Sequence, residues 1–301
     1  MWIILAFISA SLLGLYDVAK KQALKGNAVL KVLLLNTLFS TLLFSPIVIN
    51  SIFNLGWFGH SAFNVSLGST SDHFAVFIKA VLVLSSWIFG YFGLKELPLT
   101  IAAPINATRP VMTLVGAMII FGERLNGYQW AGVLMAIFSL YMLNRSGKQE
   151  GINFANNRWV FFVAMAALLG AVSALYDKYL MRNLEPMLVQ SWFNLYQCLL
   201  MGAIVVVMNL CSSQQRNRRF VWRWSIPMIS LFLAVADFCY FSALAQEGAL
   251  VAVVSMIRRG SVLVSFIFGA LLLREKNLKS KALDLLLIFI GLLLLYIGST
   301  K

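Results

Sequence analysis

SLLGLYDVAK at residues 11–20 and AVSALYDKYL at residues 171–180 each carry the tripeptide Leu-Tyr-Asp near the end of an apolar run: Leu15-Tyr16-Asp17 in the first, Leu175-Tyr176-Asp177 in the second. Further matches follow in the same order. Asn36 has a counterpart in Asn194, Arg109 lines up with Arg259, and Gly122-Glu123-Arg124 lines up with Arg274-Glu275-Lys276. The offsets stay between 150 and 160 residues, as differences in loop length would produce. Any one match is weak, but four in order mark an internal repeat.

What repeats is a membrane unit. The 301 residues are 60% hydrophobic and only 12% charged, outside the proportions of a cytosolic enzyme. Ten apolar segments are expected as spans, at roughly 2–19, 30–49, 74–94, 99–121, 128–143, 159–180, 187–209, 225–245, 249–272 and 282–298. Each must be helical, because an isolated strand in hydrocarbon leaves its backbone amides unpaired. The run from Met1-Trp2 straight into apolar sequence, with no basic n-region or small-residue cleavage site, reads as a first span and not as a removed signal peptide. Five spans per copy is an odd number, so the second copy enters the membrane from the other side. The expected fold is therefore an all-α integral membrane protein of ten helices in two inverted five-helix repeats. Its divisions are 1–146 for the first repeat, 147–158 for the connection and 159–301 for the second repeat.

A formal charge of +13, from 24 Lys and Arg against 11 Asp and Glu, would suggest an acidic partner in a soluble chain. Here 16 of the 24 fall in the connections after spans one, three, five, seven and nine, and only four on the opposite side. By the positive-inside rule the first set is cytoplasmic and both termini lie outside, in a cell or plasma membrane. That accounts for the charge without nucleic acid.

Cys198, Cys211 and Cys239 have neither paired nor metal-ligand spacing, and the only histidines, His60 and His73, sit in one connection. No metal, cofactor or catalytic residue is expected. A nucleotide-binding loop of the Gly-rich Lys-Ser/Thr kind is absent too, so an ATP-driven pump would need another subunit.

The ten spans in two fives, with Pro110 in span four, Gly122-Glu123-Arg124-Leu125 after it and Gly132 in span five, resemble the EamA-type families of the drug/metabolite transporter superfamily. The likeness covers nearly the whole chain and implies a transporter. It also implies cytoplasmic termini, opposite to the charge count. The second half departs from the pattern, with Gly260 where Pro110 would repeat and Asp284 where Gly132 would. Arg258-Arg259 in span nine is similar to the Lys-Arg pair with which the plastid sugar-phosphate translocators of the wider superfamily engage phosphate, which implies a phosphorylated or otherwise anionic substrate.

Charges deep in the bilayer select the candidate site, since each costs roughly 2.5–3.5 kcal/mol on insertion scales. Arg109, Arg258 and Arg259 lie about ten residues into their spans, about 15 Å deep, and Asp237 is central as well. One reading makes the three arginines an anion-binding floor shared by the halves; the other pairs one arginine with Asp237 and leaves the rest to backbone carbonyls. Asn106, Arg109 and Thr113 share a helix face, as do Ser255, Arg258 and Ser265. Asp17 and Asp177 lie near span ends that the inverted repeat sends to opposite faces. They are gate or coupling candidates with Tyr16 and Tyr176, or interfacial carboxylates near Lys20 and Lys178. Lys79, near the start of span three, is expected to snorkel to the interface. Gln190, Asn194 and Gln197 form a polar stripe on span seven, either substrate wall or interhelical glue. Trp87 and Tyr91 are candidate aromatic lining.

The expectation is a secondary transporter for a small polar, anionic or phosphorylated metabolite, working by alternating access around a central site. A flippase or integral-membrane enzyme for a phospho-linked lipid is the alternative function, and amino acids or related metabolites the alternative substrate class. The partners expected are the bilayer and the small-molecule substrate; the oligomeric state is open and a monomer is compatible.

Overall fold

The computed structural model describes residues 2–59, 63–121, 126–148, 156–180, 184–211, 219–244, 257–258, 260–273 and 278–300. Within them the chain forms α1 (Trp2–Leu24), α2 (Val29–Phe53), α3 (Thr70–Glu96), α4 (Leu99–Ala107), α5 (Arg109–Phe121), α6 (Gly127–Lys148), α7 (Arg158–Leu180), α8 (Pro186–Cys211), α9 (Ser225–Leu244), α10 (Ser261–Leu273) and α11 (Leu278–Thr300). Among the described residues there is no strand. α1, α2, α3, α7 and α8 are each long and apolar enough to cross a bilayer alone. The fold is the expected inverted pair of five-helix repeats.

Span four is broken into α4 and α5, and the break has a chemical cause. Pro110 has no N–H, so the carbonyl four residues back, on Asn106, loses its helical partner. Thr108 closes α4 by turning its N–H and its hydroxyl onto the Ile105 carbonyl, at 3.2 and 2.7 Å. The helix restarts as the Val111 and Met112 amides donate to the Thr108 carbonyl at 3.0 and 3.1 Å.

Span nine repeats the turn without a proline. Gly260 donates to the Ile257 carbonyl at 2.8 Å and Leu263 to the Gly260 carbonyl at 3.0 Å. The bonds from Thr108 to Ile105 and from Val111 to Thr108 recur 152 residues on as Gly260 to Ile257 and Leu263 to Gly260, so Thr108 corresponds to Gly260. This corrects the register expected from residue identity, which had matched Arg109 to Arg259 and Pro110 to Gly260. The counterpart of Arg109 is Ser261, and that of Arg258 is Asn106. The backbone hydrogen bonds of the turn set the register, and they do not require the same side chain at the same step.

Packing follows the repeat. α1 lies on α9 as α7 lies on α3; α1 meets α10 as α7 meets α4 and α5; α2 touches α9 as α8 touches α3. α2 with α8 and α6 with α11 pack on their own counterparts, and α4 of the broken span four packs on α10 of the broken span nine. A pseudo-twofold relation between the halves produces this pattern, so almost every large interface joins one half to the other.

The seams are made by small residues and hydroxyls, as helix packing in lipid requires. Ser9 donates to the Ala236 carbonyl and Ser86 to the Ala166 carbonyl, both at 2.7 Å and both buried. Gly93 lets α3 sit directly on α7: a Cβ there would lie 3.1 Å from the Trp159 carbonyl oxygen and 2.5 Å from Val163 Cγ2. The replacement of a glycine by Asp284 does not open the last pair. Asp284 is buried, and Ser139 of α6 donates to its carbonyl at 2.8 Å. Tyr16, Leu33, Tyr91, Ile101, Val163 and Ile229 belong to the main apolar core, drawn from both halves.

The helices run past the expected span ends and take up basic residues expected in connections. α1 runs past residue 19, so Lys20 and Lys21 stand on the helix and not in a connection. Lys21 donates to the carbonyls of Leu94 (2.6 Å), Lys95 (3.1 Å) and Leu97, closing the C-terminal end of α3 where carbonyls lack helical partners and the dipole favours a cation.

Candidate functional site

α5 begins in the protein interior with Arg109. Its guanidinium Nη2 donates to Asn106 Oδ1 at 3.2 Å, one turn back across the helix break, and Thr113 donates to the Arg109 carbonyl at 2.9 Å. The guanidinium lies against the bare backbone of Gly170 on α7, in the other half. Its buried Nε has no hydrogen-bond partner among the described residues. Tyr16 and Asp17 of α1 lie within electrostatic reach of it.

Asp17 is already engaged. Lys20, one turn along α1, pairs with it at 2.9 Å, and Ser265 of α10 donates to its other oxygen at 3.1 Å. Lys20 also faces the rings of Tyr16 and Tyr91, at 4.3 and 5.6 Å from their centroids. The structure thus brings together Arg109, Asn106, Asp17, Tyr16 and Tyr91 of the expected site, and adds Lys20, Ser265 and Gly170. Trp87 packs on the edge of the main core.

A second charged group joins α3, α7 and α9. Lys79 is buried and pairs with Asp177 at 2.9 Å, facing the Phe193 ring at 5.2 Å. The expected snorkelling of Lys79 is overturned: it points into the helix bundle, because a carboxylate and an aromatic face stabilise its ammonium there. Asp237 lies within electrostatic reach of Lys79 and is ion-paired with Arg258, whose guanidinium covers Tyr240 at 4.3 Å. Arg259 and Ser255 lie outside the described residues. Tyr176 donates its hydroxyl to the Ala75 carbonyl at 3.1 Å and stacks on Tyr179, so it braces the end of α3.

The polar stripe of α8 divides. Asn194 is spent on its own helix, donating to the Gln190 carbonyl at 2.8 Å, while its backbone carbonyl accepts from Thr41 at 2.9 Å. Gln197 is fully buried, and neither atom of its amide has a partner among the described residues.

The interior cations therefore sort by partner. Lys20 has Asp17, Lys79 has Asp177 and Arg258 has Asp237. Among the described residues the hydrogen-bond partner of the Arg109 guanidinium is a neutral amide, the nearby Asp17 being paired with Lys20. The guanidinium stands at the N-terminal end of α5, the positive end of its dipole. Two of the added residues left some signal in the sequence. The three-residue spacing of Asp17 and Lys20 is that of a helical pair, and Ser265 shares a helix face with Ser255 and Arg258. Gly170 left none, since its role depends on a side chain from 61 positions earlier in the chain.

A sequence model of the EamA-like transporter family matches the chain twice, over residues 1–145 and 157–297. No curated protein matches it. A solved crystal structure is similar over 97% of this chain and 94% of its own, with a TM-score of 0.61 at 15% identity, a likeness of fold. Two consecutive matches that together cover nearly every residue, on a helical framework built as two five-span repeats, make the chain a member of the EamA-like transporter family of multi-pass membrane proteins.

Proposed function

We propose that the protein is a secondary transporter that binds a small polar, anionic or phosphorylated metabolite between its halves and moves it by alternating access. The observation that carries this reading is Arg109, a cation without a carboxylate partner among the described residues, at the start of a half-helix deep in the fold. A buried guanidinium whose Nε–H has no partner among the described residues suits a carboxylate or phosphate oxygen, and the positive end of the α5 dipole adds to the same field.

The repeat-paired aspartates serve as gates in this proposal. Asp17 is tied across the halves through Ser265 and Asp177 through Lys79, and the inverted repeat sends these ties to opposite faces. One opens as the other closes. The cytoplasmic face is the one bearing the basic connections after the odd-numbered spans.

A thermal-shift screen of the purified protein against phosphorylated sugars, carboxylates, amino acids and cations tests the reading. Anionic solutes are expected to stabilise the wild type, and Arg109→Ala to abolish that shift while the protein stays folded. Stabilisation by cations alone, or an unchanged shift in Arg109→Ala, removes the anion site.

A further inference from the structure

We infer that Gly170 is the seat that positions the Arg109 guanidinium, and so sets how the proposed anion site presents its donors. This rests on the reading of Arg109 given above and deepens it. The two first spans of the repeats each bring a glycine to the broken span of the opposite half, but the glycines do different things. At Gly14 an added Cβ would meet the side chain of Val264 and, at 3.0 Å, the backbone carbonyl oxygen of Ser261. That glycine lets two helices approach. At Gly170 the three nearest atoms are all of the guanidinium: Cζ at 2.8 Å, Nε and Nη1 at 3.0 Å. No backbone of a neighbouring helix is among them, so Gly170 is small for the sake of one side chain.

The register of the break makes the contrast sharper. Ser261 is the counterpart of Arg109, so each glycine faces the first residue of the opposite half's second half-helix. Where the second half offers a short hydroxyl and backbone packing, the first half offers a guanidinium that needs a bare Cα to lie flat. Gly170 of α7 lies against one side of the guanidinium and Asn106 holds Nη2, so the group is constrained at two points. A Cβ at 170 displaces only the far end of a flexible side chain. The fold survives such a change and the donor geometry does not.

The test is a double-mutant cycle in purified protein, read as the affinity for inorganic phosphate and for malate by ligand-dependent thermal shift. Gly170→Ala is expected to weaken binding at least about tenfold while the ligand-free melting temperature stays near that of the wild type. Arg109→Ala should abolish binding, and Gly170→Ala on that background should change nothing further. Arg109→Lys with Gly170→Ala should bind no worse than Arg109→Lys alone, because an ammonium is narrower than a guanidinium. Wild-type affinity in Gly170→Ala together with loss of binding in Arg109→Ala overturns this inference and leaves the anion site standing. Absence of any response in the wild type, or an unchanged response in Arg109→Ala, overturns both. If Gly170→Ala alone does not fold, recovery of folding on adding Arg109→Ala supports the contact, and failure to recover refutes it.

Discussion

Lys79 of the first half and Asp177 of the second lie 2.9 Å apart across the boundary between the repeats, with the lysine buried and the aspartate side chain 37% exposed. Two residues that are 98 positions apart in the chain thus form one latch, where Lys79 was expected at the membrane interface and Asp177 at a gate or beside Lys178.

Breaking that latch is expected to destabilise the protein unequally. Lys79→Met removes the buried charge and should cost about 1–2 kcal/mol, less than a fully buried pair because water reaches Asp177. Asp177→Asn leaves a buried ammonium with Asp237, among the described residues, as the carboxylate in reach, and should cost more. Melting curves in detergent measure both; equal losses, or none, would show that the pair does not hold the halves together.

Arg258 and Asp237 make a more enclosed pair, with side chains 22% and 18% exposed. Removing either partner alone should cost about 3 kcal/mol, since the other is left charged in an apolar setting. The double replacement Arg258→Leu with Asp237→Leu is expected to recover most of that. Additive losses in the cycle would mean the two charges are stabilised separately.

Ser9 and Ser86 tie α1 to α9 and α3 to α7 by equivalent bonds to backbone carbonyls. Each serine to alanine change should lower stability by about 0.5–1.5 kcal/mol, and the two should add, because they lie in separate seams. Thermal denaturation of the two single variants and the double variant decides this. A loss in the double variant far from the sum points to one shared unit.

The proposed orientation has its own measurement. In a cysteine-free background, a cysteine at Lys25 is expected to react with an impermeant maleimide only from the cytoplasmic side, and one at Ser66 only from the outside. Both positions are exposed, on opposite sides of α2 in the chain. The reverse labelling pattern refutes the charge-based orientation and favours cytoplasmic termini.

How much of this was legible in the residues depends on the range of the interaction. Leu-Tyr-Asp at 15–17 and again at 175–177 marked the repeat, because two copies of one fold face the same local demands at the same step of a helix. Span four was expected as one unbroken segment; Pro110 could have signalled its break through the hydrogen bond it cannot make, whereas the break at Gly260 carries no such mark. Matching Arg109 to Arg259 failed for that reason: identity was conserved across a two-residue slip that only the turn geometry exposes. Lys20 was assigned to a connection because hydropathy falls there, yet the α1 helix continues past it, stabilised by its pair with Asp17.

By itself, the sequence determined the class of protein, the ten spans and the inverted repeat. Each follows from burial cost summed over about 20 neighbouring residues or from parity, and neither needs to know what lies beside the helix. It also singled out the deep charges, since the cost of a charge in hydrocarbon belongs to the residue and its depth. Tertiary structure alone decided which charges cancel. Asp17 took Lys20 and Ser265, Asp177 took Lys79, and Asp237 took Arg258, leaving Arg109 on a glycine with a neutral amide. Ion pairing acts over a few ångströms, and the atoms that come that close are chosen by helix packing between halves, which the local pattern of a span does not contain.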